Sequence, residues 1–249
     1  MNEVIELLNN HRSIRDYKEE AIEEKDIHTI ITSAMAGANW VNGQQVSVVE
    51  VKDREKKAKL AELVGNQPYV DKAPVFFVFC IDFYRGKLAA EKNGEPFPVV
   101  DSVEALLIGS TDVGIAMGNA IAAAESLKLG TVPIGGIRKN VEEVIDLLEL
   151  PNYVFPISGL VVGYPNDLSA TKPRFSLEAV LHKEKYVKEN MKDHIDQYDK
   201  TISDYMLKRS NGKVDRNWSS GISKYYSEGV TSYMDNITPA LKKQGFSNK

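Results

Sequence analysis

His11-Arg12-Ser13-Ile14-Arg15 places two guanidinium groups, an imidazole and a hydroxyl in one short stretch. Wound as a helix end, it would span about one and a half turns. Arginine presents a planar fork of donors that matches phosphate or carboxylate oxygens, and serine and histidine add single hydrogen bonds. Each charge-assisted hydrogen bond is worth roughly 1.5–3 kcal/mol, so a few together would hold a phosphate or an anionic ring. The same residues also suit a solvated basic turn closing a helix over residues 2–10, where the helix dipole favours cations. Further along, Gly130-Thr131-Val132-Pro133-Ile134-Gly135-Gly136-Ile137-Arg138 reads as a short strand running into a glycine pair. Bare backbone N–H groups there can meet and donate to a ligand, although an ordinary turn fits equally well. Lys172-Pro173-Arg174 sets two cations on an extended backbone fixed by proline, or is a basic surface loop. No G-x-G-x-x-G or P-loop fingerprint is present.

These residues need elements to position them. Ile22, Ile27, Ile30 and Ile31 recur at helical spacing, which predicts a helix over residues 21–36 with glutamates around its start. The small, polar segment 37–45 reads as a loop, and the β-branched run 46–51 as a strand. A charged amphipathic helix over 53–64, closed by Gly65, leads to a loop at Gln67-Pro68-Tyr69-Val70. Residues 74–83 form a buried strand, since their aromatics are too many for a solvated one. Residues 84–98, with Gly86, Gly94, Pro96 and Pro98, read as an irregular connection. A long helix over 99–127 carries Gly114-Ile115-Ala116-Met117-Gly118 and the alanines after it, a run of small residues that lets another backbone approach. A helix over 140–150, stopped by Pro151, and a strand over 155–163 complete a main body assigned to residues 1–188. The extension, 189–249, is charged and tyrosine-rich, too polar for a core of its own, and is read as wrapping the body or a partner.

Composition narrows the functions. The net charge of -4 offers no global field for nucleic acid, so any basic cluster is local and suits one small anionic ligand. Cys80 is the single cysteine, which excludes an intrachain disulfide, and the four histidines have no zinc-ligand spacing. Neither a secretory segment nor an apolar run of transmembrane length is evident, so the expectation is a cytoplasmic protein without a membrane partner.

Taken as a set, His11-Arg12-Ser13-Ile14-Arg15, Gln67 with Tyr69, Ile134-Gly135-Gly136-Ile137-Arg138 and Lys172-Pro173-Arg174 resemble the FMN-dependent nitroreductase superfamily in order and spacing. The likeness is to its NADPH-linked flavin reductase and oxygen-insensitive group A nitroreductase branch, over nearly the whole chain. The resemblance implies an α+β fold, with a central mixed or antiparallel sheet flanked by helices. It also implies an intertwined homodimer with an extended C-terminal arm and tightly bound FMN, one per subunit, at the interface. It further implies that His11, Arg12 and Ser13 bind the flavin phosphate and ribityl chain with Lys172 and Arg174. Arg15 would face the N1–O2 edge of the ring, Gln67 its pyrimidine edge, and Tyr69 the flavin and substrate. The backbone N–H of Gly136 would point to N5, with Gly135 leaving room for the ring. No side chain need act as nucleophile or base, because the flavin carries the redox chemistry.

Two departures stand out. Where relatives carry a serine-rich segment that reaches the flavin from the second subunit, this chain has Ala38-Asn39-Trp40-Val41; Asn39 retains a hydrogen-bonding side chain and Trp40 narrows the pocket or stacks in it. Arg209 matches the arginine that the family uses for the NADPH 2′-phosphate, but a second arginine of some relatives is Val214 here, with Lys213 and Arg216 as substitutes. The implied reaction is ping-pong transfer of hydride from NADPH, or NADH, through FMN to free flavin, a quinone or a nitroaromatic. A flavin-binding carrier or redox sensor without turnover is the alternative.

Overall fold

The computed structural model describes residues 1–229 and 231–247. Four strands, β1 (Val46–Val51), β2 (Val75–Asp82), β3 (Gly130–Ile134) and β4 (Val154–Gly163), form one antiparallel sheet in the order β1-β2-β4-β3. Every residue of β2 is buried, because both faces of the sheet are covered by helices. The alternation of side chains along β2 then divides the interior in two. Val75, Phe77, Phe79 and Ile81 face one core, and Phe76, Val78 and Cys80 face the other.

The helices follow in chain order: α1 (Glu3–Asn9), α2 (Glu24–Met35), α3 (Arg54–Leu63), α4 (Pro68–Lys72), α5 (Tyr84–Asn93), α6 (Val103–Ser126), α7 (Val141–Leu147), α8 (Leu177–Val180), α9 (Met191–Arg209), α10 (Trp218–Lys224) and α11 (Thr231–Lys243). The first core is filled by Ile27, Ile30 and Ala34 of α2 and by Ala105, Val113, Ala116, Ala120 and Ala124 of α6. The second takes Leu60 and Leu63 of α3, Val70 of α4 and Val144 of α7, together with Ile14 and Tyr17. By length and composition α6 would qualify to cross a membrane, contrary to the sequence expectation. Its inner face packs on β2 and carries the buried Asp112, which is the arrangement of a core helix.

Two connections are more regular than the sequence suggests. Residues 68–72 form α4 rather than a loop, since Pro68 occupies the first helical turn, where a missing N–H costs nothing. Residues 84–93 form α5 rather than an irregular connection: the carboxylate of Asp82 accepts the N–H of Tyr84 at 3.0 Å, and Gly94 closes the helix in the left-handed region.

The chain divides into two units, Met1–Ser169 with Tyr233–Lys249, and Ala170–Ser232. The end of the chain is seated in the first unit. Ala240, Leu241 and Phe246 join its core, with Phe246 edge-on to Phe83 at 6.1 Å. The Gln244 amide donates to the carbonyls of Leu150, Pro151 and Val154, and the Gln244 carbonyl accepts the N–H of Tyr153 at 2.7 Å. The second unit does have an interior, contrary to its polar composition. Phe175, Tyr198 and Trp218 cluster with centroid separations of 4.0–5.9 Å, and Tyr198 and Ile202 are buried.

Replacing Phe246 with alanine removes a fully buried ring that ties the chain end to the core. The expected loss is about 3–5 kcal/mol of unfolding free energy, read from the urea midpoint at unchanged slope.

Candidate functional site

The His11–Arg15 stretch is not a helix end. The Asn10 cap closes α1, and the chain then runs extended beside β3. Ser13 forms a parallel bridge with Thr131, in which the Ile14 N–H donates to the Thr131 carbonyl at 2.9 Å. Gly130 makes this approach feasible: a Cβ there would lie 2.6 Å from the Ile14 side chain. Ile14 is buried and Arg15 is exposed, so the extended backbone sends the apolar residue inward and the guanidinium outward. Tyr17 fastens the far end, donating its hydroxyl to the Ile14 carbonyl at 2.6 Å. On the other side, His11 Nδ1 lies 2.7 Å from Glu125 Oε1, which also accepts the Thr131 hydroxyl at 3.0 Å. That contact fixes the imidazole and leaves Nε2 as the ring atom able to meet a ligand.

Parallel pairing carries the residues after Ser13 in the same direction as those after Thr131, toward Gly135-Gly136. There Gln67 and Tyr69 join them. The Tyr69 hydroxyl donates to Gln67 Oε1, and Gln67 Nε2 donates to the Val64 carbonyl at 2.8 Å. A Cβ on Gly136 would collide with that same carbonyl and stand 3.0 Å from Gln67 Nε2, whereas Gly135 has open space on its Cβ side. The corner is thus glycine on one face by steric necessity and bare backbone on the other. Burial pushes the Tyr17 phenol well above its usual range, while Arg15 opposes the shift and Tyr69 adds to it. Arg15 and Tyr69 are thus both close enough to Tyr17 to act on its phenol. Arg138, the last residue of the glycine motif, is spent structurally, donating to the Ile157 carbonyl of β4.

Asn39 lies elsewhere in the first unit. It lines a cavity of about 450 Å³ with Gln44, Gln45, Arg85 and Asp112, and its side-chain oxygen accepts the Gln44 N–H at 3.1 Å. Both oxygens of Asp112 accept the Trp40 N–H at 3.2 Å, and burial pushes the Asp112 carboxyl above the usual range. Trp40 itself is exposed, and the turn after it holds Val41 and Asn42 at positive φ.

The remaining expected residues belong to the second unit. Lys172 and Arg174 flank Pro173, whose carbonyl accepts the Tyr198 hydroxyl at 2.9 Å, while Phe175 stacks on the Tyr198 ring. The motif is thereby fixed to α9. Arg209 is exposed at the end of α9, and Val214 donates its N–H to the Ser210 hydroxyl at 2.8 Å. Among the described residues, none of Arg12, Arg15, Lys172, Arg174 and Arg209 has a carboxylate partner. Arg12 donates only to the Asn10 carbonyl and Arg174 only to those of Lys172 and Pro173. Within the first unit, Arg12 and Arg15 lack carboxylate partners and Gly135 leaves an open corner, a donor set for a phosphorylated, anionic ring system, and FMN fits that description. Cys80 takes no part: burial raises its thiol far above the range in which a thiolate forms.

Residues 8–164 match the Nitroreductase family and residues 172–249 match the Nitroreductase family, C-terminal domain. An FMN reductase [NAD(P)H] of Bacillus subtilis (strain 168) is 50% identical over 248 residues, which cover 99% of this chain and 98% of that protein. The structure of B. megaterium NfrA2 superposes with a TM-score of 0.97 at 51% identity, covering 100% of both chains. The NADPH:FMN oxidoreductase from Vibrio harveyi, solved in complex with NAD+, gives a TM-score of 0.88 at 34% identity, again over 100% of both chains. Family matches to residues 8–164 and 172–249 and a 50% identical relative along the full length lead to one conclusion: the chain belongs to the nitroreductase family.

Proposed function

We propose that this chain is an NAD(P)H-dependent FMN oxidoreductase, a flavin reductase and nitroreductase that works by a ping-pong sequence in the cytoplasm. Family membership supports the reaction class, and the open corner formed by Arg15, Gln67, Tyr69, Gly135 and Gly136 carries the reading at the level of residues. When bound, FMN supplies the two-electron redox chemistry. Overall, NADPH gives up a hydride and an acceptor gains it with a proton.

The chain's own residues bind and polarise. Arg15, a cation with no competing carboxylate, stabilises negative charge at the N1–O2 edge of the ring. Gln67 addresses the pyrimidine edge through whatever hydrogen-bonding capacity its contacts with Val64 and Tyr69 leave. The Gly136 N–H serves N5, and Tyr69 covers ring and substrate. His11, Arg12 and Ser13 take the phosphate and ribityl end, with Lys172 and Arg174 as further cations for the phosphate. Arg209 serves the 2′-phosphate of NADPH. Reductant and acceptor use one face in turn, so free flavins, quinones and nitroaromatics all qualify as acceptors.

The working form is a homodimer. One face of α6 exposes Leu107, Gly114, Ile115 and Gly118 at helical spacing, and a Cβ on either glycine would meet nothing within 4 Å. A second copy of α6 fits that face, and the dimer brings Asn39 and Trp40 to the FMN of the other subunit.

Anaerobic mixing of FMN-loaded protein with NADPH is expected to bleach the flavin's blue absorption band rapidly. A loaded protein that NADPH and NADH both leave unbleached is the non-catalytic carrier, and the enzyme reading fails. Arg15→Ala is expected to slow the bleaching by roughly a hundredfold, as loss of a charge-stabilising donor does, with partial recovery in Arg15→Lys. Gly118→Arg leaves the chain's own packing untouched and is expected to sediment as a monomer with reduced FMN content; a dimeric, fully loaded variant would overturn the α6 contact.

A further inference from the structure

A second cavity in the first unit, of about 380 Å³, shares no lining residue with the flavin corner. Its volume falls in the range typical of small-molecule sites (about 300–1,000 Å³). The inner wall is apolar and buried, with Ile22 from the segment before α2, Ile27 of α2, and Ala73 and Val75 from the junction of α4 with β2. Lys57 of α3 is set among them and is only 6% exposed. A lysine buried to that degree ordinarily has a paired charge. This ammonium donates to the Ala73 carbonyl at the end of α4, which takes one of its three N–H groups. Among the described residues nothing accepts the other two, and no carboxylate forms an ion pair with Lys57. Burial works against the charge and pulls the Lys57 pKa below its usual range, while Asp71, which does not line the cavity, opposes the shift.

The mouth of the cavity is charged and exposed. Lys52 is held there by Glu24, and by Glu50 at 2.9 Å. Lys18 and Lys72 have no carboxylate partner among the described residues, and Glu19 and Glu20 balance their charge. All four of these side chains are exposed, so water and salt screen them. Screening is much weaker at Lys57, and the buried ammonium therefore decides the sign of charge that the cavity accepts.

We propose that this cavity binds a small carboxylate with a compact apolar body. The carboxylate accepts the two remaining N–H groups of Lys57, and the body covers Ile22, Ile27 and Val75. Inorganic phosphate offers the same kind of oxyanion but leaves the apolar wall uncovered. The test uses the FMN-loaded protein and calorimetric titration, at constant ionic strength, with pivalate, its neutral amide pivalamide, and inorganic phosphate. Pivalate is expected to bind about tenfold or more tightly than pivalamide, the worth of one charge-assisted hydrogen bond, and more tightly than phosphate. Lys57→Met is expected to weaken pivalate by about tenfold or more and to leave pivalamide little changed, with Lys57→Arg intermediate. Ala21→Trp, at an exposed position of the lining, is expected to block pivalate while leaving the buried wall intact.

A wild type that ignores pivalate, does not distinguish it from pivalamide, or prefers phosphate overturns the assignment. So does pivalate affinity retained in Lys57→Met or in Ala21→Trp. Pivalate that perturbs the flavin's absorption or competes with NADPH occupies the flavin face and overturns it too. Retained FMN absorbance reports that each variant is folded; if Lys57→Met fails to fold, Ala21→Trp and the pivalamide comparison decide. Bleaching by NADPH is read separately, so a failure of this site leaves the oxidoreductase reading standing.

Discussion

The hydrogen bond from the Ile14 N–H to the Thr131 carbonyl is the contact on which the site in the first unit depends. It sets a parallel segment against β3 at the edge of an otherwise antiparallel sheet, and so fixes the register of His11, Arg12, Ser13 and Arg15 against Gly135 and Gly136. Slipping an extended segment by one residue turns each side chain to the opposite face. Here a slip would push Arg15 toward the core and Ile14 into solvent. The core enforces the register: Ile14 is 3% exposed and packs with Val132, Ile134 and Val161 in the interior beneath β3. The bare Gly130 backbone makes room for Ile14, because the space where a Cβ would stand is already occupied by its side chain.

Around that contact, polar groups are used for two distinct ends. Glu125 accepts from both His11 and Thr131, so a largely buried carboxylate anchors the start of the basic stretch to the end of α6. Tyr17 anchors its end through the Ile14 carbonyl, and its buried phenol stays neutral. Between these anchors the guanidiniums are left without acidic partners. A buried group left unpaired is costly, but an exposed arginine keeps its hydration until a ligand replaces it. Preorganised backbone and unspent donors therefore coexist at little cost to stability.

The fold was largely legible in the chain. The run of aromatic and β-branched residues in β2 announced a buried strand, and the small residues of α6 announced a helix that packs closely. What escaped was local. Gly94 read as a loop residue, although its role is to close α5, and Pro68 likewise read as part of a loop, although it starts α4. Composition cannot separate these roles, because glycine and proline favour helix ends and loops alike. The basic stretch itself was visible by residue type, but its extended conformation was not. Pairing with β3 lies more than a hundred residues away in sequence, and no local signal encodes it. Glu125 and Tyr17 were missed for the same reason: each acts through a partner distant in the chain or through a backbone carbonyl.

Arginines show how function and structure divide one residue type. Arg138 sits inside the most distinctive glycine motif, yet its guanidinium is turned to the Ile157 carbonyl. Arg85 is likewise engaged, bonding Ser47, the carbonyls of Gln44 and Val46, and the Asp82 carboxylate at 3.1 Å. Both are tied to backbone carbonyls of the chain, and the N–H groups so engaged are withheld from a ligand. Arg12 and Arg15 are exempt because the elements beside them present Thr131, Pro133 and the glycine pair rather than carboxylates, and Glu125 is already taken by His11 and Thr131. The capacity of this site to hold an anion thus comes from where the chain has placed its acids as much as from where it has placed its cations.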